Sequence, residues 1–381
     1  MPVYLDCNAT TPLEPQLREP VLHYLEVEFG NAGSATHGFG TEALQAVKKA
    51  REQIAALVKS RGDEVVFTSG ATESDNLAIL GLAQYGERTG RRHIISSAME
   101  HKAVLEPLES LKKRGFEITL LPADPSGRVR ADQVQDALRS DTLLVSIMQV
   151  NNETGVIQPI EEIAACLHGH DAFFHVDAAQ GFGKVLAGLD NKRIELISIS
   201  GHKVFAPKGI GALITRRRSF KPLPLEPIMF GGGQEKGLRP GTLAVPLIVG
   251  LGEAAQLSLR DHALRSEACR RVKKEILSAF APLNAVINGD QSNCVPHTLS
   301  IAFPGLDSGV LIAALQDDLA ISNGSACSSD NYKPSHVLQA MQLENSVIKS
   351  TLRLSWCHLT APVDWTMIAC KIAALQSQFT A

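Results

Sequence analysis

No Cys-x-x-Cys pair occurs in this chain, and its seven cysteines are odd in number and scattered. That spacing argues against a disulfide framework and against a zinc site, so no metal is expected and the thiols should be reduced. An excess of charge is missing too. The formal net charge is −3 at pH 7, and nothing global advertises a nucleic-acid or membrane surface. Nowhere do apolar residues run for the roughly 18 positions of a membrane helix. The opening Met1-Pro2-Val3-Tyr4-Leu5-Asp6 reads as strand, without a basic segment followed by an apolar one. The expectation is a cytoplasmic protein with no membrane and no direct nucleic-acid partner. Repeats and low-complexity tracts are also absent. What remains is a chain of 381 residues, 44% hydrophobic and 20% charged, able to bury a large core.

Helical spacing of Ala43, Leu44, Val47, Ala50, Ile54 and Leu57 predicts a helix over Thr41–Lys59. Strand-like and helix-like segments then alternate. Strands are expected at Glu64–Thr68, His93–Ser96, Glu117–Leu121, Thr142–Gln149, Phe173–Val176, Ile194–Ile199 and Gly211–Thr215. Helices are expected at Asp75–Tyr85, Ala103–Arg114, Ala131–Leu138 and Ile160–His168. Such alternation implies an α/β fold, a largely parallel sheet covered by helices on both faces, with ligands at the carboxyl ends of the strands. Past residue 220 the texture changes. Pro222, Pro224 and Pro227 precede Gly231-Gly232-Gly233, a mobile or ligand-facing loop. One long helix, Val245 to about Phe280, then leads into a smaller C-terminal domain. It should hold strands near 285–287 and 298–303 and helices near 310–315 and 334–341.

The strand ends carry the chemistry. Ser200-Gly201-His202-Lys203 follows the apolar run Ile194–Ile199. A lysine at the mouth of a buried strand suits an amine whose charge is suppressed so that it can form a Schiff base. His175-Val176-Asp177-Ala178-Ala179-Gln180 ends another strand in a carboxylate. Together they offer the two fixed contacts that pyridoxal phosphate needs, one for its ring nitrogen and one for its aldehyde. Ser69-Gly70-Ala71-Thr72-Glu73-Ser74 joins a strand to a helix. Gly70, Ala71 and Thr72 can cradle a phosphate with backbone N–H groups; the plainer alternative is an N-cap by Thr72 or Ser74. Ser200 and His202 could add donors to the same phosphate. His101 follows the strand His93–Ser96, where its ring could stack on a pyridine and shuttle protons, although a lone histidine is more often structural. Asn151–Gly155 also follows a strand, with a bland turn as the alternative.

Two further residues stand apart. Cys327 lies in Ile321-Ser322-Asn323-Gly324-Ser325-Ala326-Cys327-Ser328-Ser329, a thiol among small polar residues. A reactive cysteine needs exposure and mobility. Cys166 and Cys370, by contrast, sit among Leu, Ile and Val, as buried structural cysteines do. Arg353, in Thr351-Leu352-Arg353-Leu354-Ser355, could clamp a substrate carboxylate bidentately; an ordinary salt bridge is equally compatible.

With these motifs in order from Tyr4-Leu5-Asp6 to about Ser355, the chain resembles the cysteine desulfurases of the class V aminotransferase family, pyridoxal-phosphate enzymes of fold type I. Its most specific segments are Thr68–Ser74, Glu100-His101-Lys102, Asn151–Gly155, His175–Gln180, Ser200–Lys203, Arg239-Pro240-Gly241-Thr242 and Gly324–Cys327. The resemblance implies that Lys203 holds pyridoxal 5'-phosphate as an internal aldimine and that Asp177 pairs with the ring nitrogen. It implies that His101 stacks on the ring while Gln180 and Asn152 contact its phenolic side. Ala71, Thr72, Ser200 and His202 would bind phosphate, with Thr242 reaching across from the partner of a homodimer. Arg353, with Asn152, would hold the L-cysteine substrate, and Cys327 would take the sulfur and pass it to an acceptor protein. The implied division is a large cofactor-binding domain, residues 16–255, and a small α+β domain, residues 1–15 and 256–381, carrying the Cys327 loop. The Gly-Ser-Ala-Cys form resembles the group with a long, mobile cysteine loop. Asn323 and Ser328-Ser329-Asp330 depart from that group's pattern.

Leu82–His93 and Pro224–Glu235 look closest to the branch that supplies sulfur for DNA backbone phosphorothioation, where the acceptor would be an iron–sulfur protein of a DNA-modification system. General iron–sulfur cluster assembly, a selenocysteine lyase or aminotransferase with an incidental Cys327, and a non-enzymatic scaffold are the competing readings. Three patterns are set aside. Gly38-Phe39-Gly40-Thr41-Glu42-Ala43 fits a dinucleotide pattern, but no strand precedes it. Arg88–Arg92 and Arg216-Arg217-Arg218 are basic runs best read as solvated faces. Glu161-Glu162 is the acidic first turn of a helix.

Overall fold

The computed structural model describes residues 1–324 and 334–379. Twelve strands are present among them: β1 (Val3–Tyr4), β2 (Val65–Thr68), β3 (His93–Ser97), β4 (Glu117–Leu121), β5 (Thr142–Ser146), β6 (Phe173–Asp177), β7 (Leu196–Ser200), β8 (Gly211–Thr215), β9 (Val286–Ile287), β10 (Thr298–Ala302), β11 (Leu319–Ala320) and β12 (Thr351–Ser355). Seven form the central sheet in the order β2-β8-β7-β6-β5-β3-β4. Only β8 runs against its neighbours, so the carboxyl ends of the other six share one edge.

Strands β3, β5, β6 and β7 are buried throughout, as a parallel sheet covered on both faces requires. Successive side chains feed opposite cores: Phe174, Val176, Ile197 and Ile199 pack on one face, Phe173, Leu196 and Leu213 on the other. A separate antiparallel sheet, β9-β10-β12, and the parallel pair β1-β11 surround another core. Leu5, Ile276, Phe280, Leu299, Leu354, Trp356 and Ile368 fill it. Asp6 bridges to Ser355, which ties the N-terminal segment to the end of β12.

Several expectations are corrected. The helix over 245–280 is two, Val245–Arg260 and His262–Phe280, broken at Asp261, which leaves helical geometry and takes the Arg260 guanidinium. The helix expected over 75–85 starts earlier, at Ala71–Leu80, and a second runs over Ala83–Thr89. Arg216 is not solvated: it is 3% exposed and donates to the carbonyls of Val58, Leu189, Asn191 and Ile194. A guanidinium's donors can close several strand and helix ends at once, which pairs the buried charge with hydrogen bonds. Arg218 lies over the Phe173 ring and pairs with Glu195. Cys370 is exposed, and Cys166 is only half-buried, packed against the edge of the core. The helix at Gly38–Leu57 is preceded by turns, and His37 caps it by accepting the Gly40 N–H.

Candidate active site

The shared carboxyl edge opens into a cavity of about 660 Å³. Turn 201–203 follows β7 directly and brings Lys203 to this rim. Its Nζ donates to the Asn8 carbonyl at 2.5 Å and the Ala9 carbonyl at 2.8 Å. Asp177, the last residue of β6, faces the same cavity and accepts the Ala179 N–H at 2.9 Å. Burial, then the neighbouring Asp75 charge, pushes its carboxyl up to about 6. Asp75 is itself 1% exposed, lies 3.4 Å from His175 Nε2, and lines the cavity.

At the opposite end, β2 and β7 flank the start of β8. A Cβ on Gly211 would stand 2.5 Å from the Ile199 carbonyl and 2.6 Å from Gly70 Cα, so only glycine lets these backbones close up. This places Ser200 beside the first turn of helix Ala71–Leu80, where the N–H groups of Ala71 and Thr72 lack intrahelical partners. His202 Nδ1 lies 3.2 Å from the Thr10 hydroxyl. Burial, then the charges of Lys203 and Lys208, pushes its imidazole down to about 4, so it stays neutral. Glu73 occupies the cavity wall nearby and is held by Arg239 at 3.0 Å.

His101 caps helix Lys102–Lys112: its Nδ1 accepts the Ala103 N–H at 3.1 Å, which places the proton of the neutral ring on Nε2. Beneath it Glu100 is fully buried and accepts from the Ser97 hydroxyl and the Met148 N–H. Burial pushes Glu100 up to about 8, a neutral acid at pH 7. Asn152 and Gln180 line the cavity, and Gln180 donates to the Asn8 carbonyl. Arg353 reaches it from β12, with Nη2 2.6 Å from Asp6 and Nη1 3.1 Å from the Asn152 carbonyl. The ion pair that the sequence allowed for Arg353 is present, and its guanidinium also lines the cavity.

The structure therefore brings together Ala71, Thr72, His101, Asn152, Asp177, Gln180, Ser200, His202, Lys203 and Arg353. It does not bring Thr242, which is exposed and absent from this lining, nor Gly231–Gly233. Cys327 lies outside the described residues. Sequence reasoning missed Asp6, Asn8, Ala9, Thr10, Asp75 and Glu100. Glu100 sits inside a motif singled out for its neighbour, and Asp75 directly follows another. Nothing local marks Asn8 or Ala9.

These residues fit the pyridoxal 5'-phosphate expected from the sequence. An amine and a buried carboxylate share the cavity, the glycine-lined cradle exposes N–H groups, and buried Gln180 Oε1 has no partner among the described residues. Comparison with known proteins agrees. The class-V aminotransferase model matches residues 3–364. "Cysteine desulfurase IscS" of Methylococcus capsulatus is 44% identical over 99% of this chain and 94% of its own length. The mitochondrial cysteine desulfurase of Eremothecium gossypii is 41% identical over 97% of this chain and 75% of its own. Among solved structures, DndA from Streptomyces lividans is 51% identical with a TM-score of 0.82, covering 91% of this chain and 98% of that one. The chain belongs to the class-V aminotransferase family, among its pyridoxal-phosphate-dependent cysteine desulfurases.

Proposed function

We propose that the chain takes sulfur from L-cysteine and releases L-alanine, that Cys327 receives the sulfur as a persulfide, and that an acceptor protein collects it for DNA phosphorothioation. The observation that carries this reading is the meeting of the Lys203 amine, the buried Asp177 carboxylate and Arg353 in one cavity. Bound pyridoxal 5'-phosphate supplies an aldehyde for the substrate amine and a ring that takes up the electrons released at Cα. Lys203 would hold that aldehyde, and its amine, steered by the Asn8 and Ala9 carbonyls, would move the proton at Cα. Asp177 keeps the ring nitrogen protonated, a task that repays the cost of its own burial. His101 would stack on the ring and offer its Nε2 proton. Arg353, with Asn152, orients the substrate carboxylate, and Asp6 in turn orients Arg353. Ala71, Thr72, Ser200 and His202 hold the phosphate, and an exposed Thr242 suits a homodimer in which it serves the partner's phosphate. Cys327 attacks the substrate sulfur.

The pathway rests on the stretches 82–93 and 224–235, and on the 51% identity to DndA, the structural neighbour in that branch. The IscS relatives at 43–44% identity favour general iron–sulfur assembly as the second reading. Among the described residues no helix is long and apolar enough to cross a membrane.

Alanine production from cysteine with a thiol reductant tests the chemistry. Cys327→Ala should keep the yellow cofactor and make no alanine, while Lys203→Ala should lose both. Full turnover by Cys327→Ala, or a preference for selenocysteine that ignores Cys327, would overturn the assignment. Transfer of labelled sulfur to a phosphorothioation iron–sulfur protein in preference to a general cluster scaffold tests the pathway.

A further inference from the structure

Behind the Lys203 turn lies a second, smaller cavity that the proposed chemistry does not use. Cys7, Cys269 and Cys357, all buried, line it together with Lys184, Phe205, His297 and Trp356. Cys7 and Cys357 pack together with Phe205 as one buried cluster. The pairing follows from the chain path: Asp6 bridges to Ser355, and the Cys7 N–H donates to the Ser355 carbonyl at 3.0 Å. Lys184 Nζ is buried in the same wall and has no hydrogen-bond partner among the described residues. Thiols serving only as small hydrophobes would not need an amine among them.

We propose that Cys7 and Cys357 form a redox-active dithiol, which a peroxide converts to a disulfide that distorts the cofactor cavity. Geometry supplies the coupling. Cys7 sits between Asp6, which holds Arg353, and the Asn8 and Ala9 carbonyls, which hold Lys203 Nζ. Pulling Cys7 toward Cys357 therefore moves both ends of the substrate site. The neighbouring Cys7 thiol pushes the Cys357 thiol down to about 7, against the opposing effect of burial. Lys184 shares the cavity wall with both thiols, and burial pushes its amine down; in the proposed step it takes the thiol's proton.

The cavity holds about 40 Å³. A water needs on the order of 10–15 Å³ by the same measure, so a two-oxygen molecule fits and a bulky disulfide does not. Its outer wall, His262, Arg265, Ser266 and His358, is part-exposed. The Cys357 thiolate attacks one peroxide oxygen; the S–O bond forms as O–O breaks, leaving a sulfenic acid and one water. The Cys7 sulfur then displaces the second oxygen as water, and the S–S bond forms. Two thiols lose two electrons and one peroxide becomes two waters.

The test uses the holoenzyme carrying Cys327→Ala, so that the proposed sulfur acceptor cannot contribute. After stoichiometric hydrogen peroxide, a non-reducing peptide map should show Cys7 linked to Cys357, two hydrogens lighter and reversed by dithiothreitol. L-Cysteine affinity, read from the cofactor absorbance, should fall about tenfold on linking, and adding Cys357→Ser should abolish that fall. Lys184→Met should slow linking about tenfold at pH 7, because it removes the amine that takes the thiol's proton. Free thiols, a link to Cys269 instead, or linking without loss of affinity would each overturn the proposal. The affinity arm rests on the proposed function; the peptide map does not, so a reduced enzyme that ignores L-cysteine would fail that reading alone.

Discussion

Asp177→Asn should stabilise the cofactor-free protein while impairing the loaded one. The carboxyl is raised from an ordinary 3.8 to about 6, first by burial and then by the Asp75 charge. A native value above the unfolded one means that the folded chain holds the proton more tightly. The group's favourable contribution is therefore present in acid and lost as pH climbs from 3.8 through about 6. At about 1.4 kcal/mol per unit, the charged carboxylate costs the apo fold about 3 kcal/mol at pH 7.5, and roughly half that at pH 5. Asparagine carries no charge, and its Oδ1 can still accept the Ala179 N–H. An unfolding entropy of about 2.1 cal/mol/K per residue turns about 3 kcal/mol into a rise of about 4 °C for a chain of 381 residues. Thermal melts of both apo proteins at one concentration and scan rate, at pH 7.5 and pH 5, read this directly. The holo variant should lose turnover, since nothing then keeps the ring nitrogen protonated. An apo variant that melts at or below wild type at pH 7.5, or a gap that does not narrow at pH 5, would show that the Asp177 charge does not burden the fold.

Asp6→Ala leaves the Arg353 guanidinium, whose side chain is 5% exposed, without its carboxylate. Urea unfolding should show a loss of about 3 kcal/mol, the low end for a broken buried pair because Asp6 is partly open. Asp6→Asn should recover part of it, and an alanine variant as stable as wild type would remove the pair from the site's support. Gly211→Ala forces a methyl against the Ile199 carbonyl and Gly70 Cα. It should cost about 1–3 kcal/mol and release cofactor on dialysis, measured by the yellow absorbance; full retention would mean that the cradle is not where the phosphate sits.

Local residue patterns were enough to read the alternation of strands and helices and the strand ends that carry Ser69–Thr72, His101, Asp177 and Ser200–Lys203. Those signals are local. An apolar run ending in small or polar residues defines a carboxyl edge wherever the strand lands, and β4 and β8 have the bounds that the pattern predicts. Tertiary structure alone decided what faces these motifs. Asn8 and Ala9 hold Lys203 only because Asp6 bridges to Ser355, a pairing across almost the whole chain that no periodicity encodes. Arg216 reads as a solvated charge until the surrounding carbonyls close on it. Cys7 and Cys357, 350 positions apart in sequence, become neighbours through the same bridge. Local propensity selects elements and their ends. The order of strands in the sheet, and the long-range closure of the N-terminal segment onto β12, decide which ends meet.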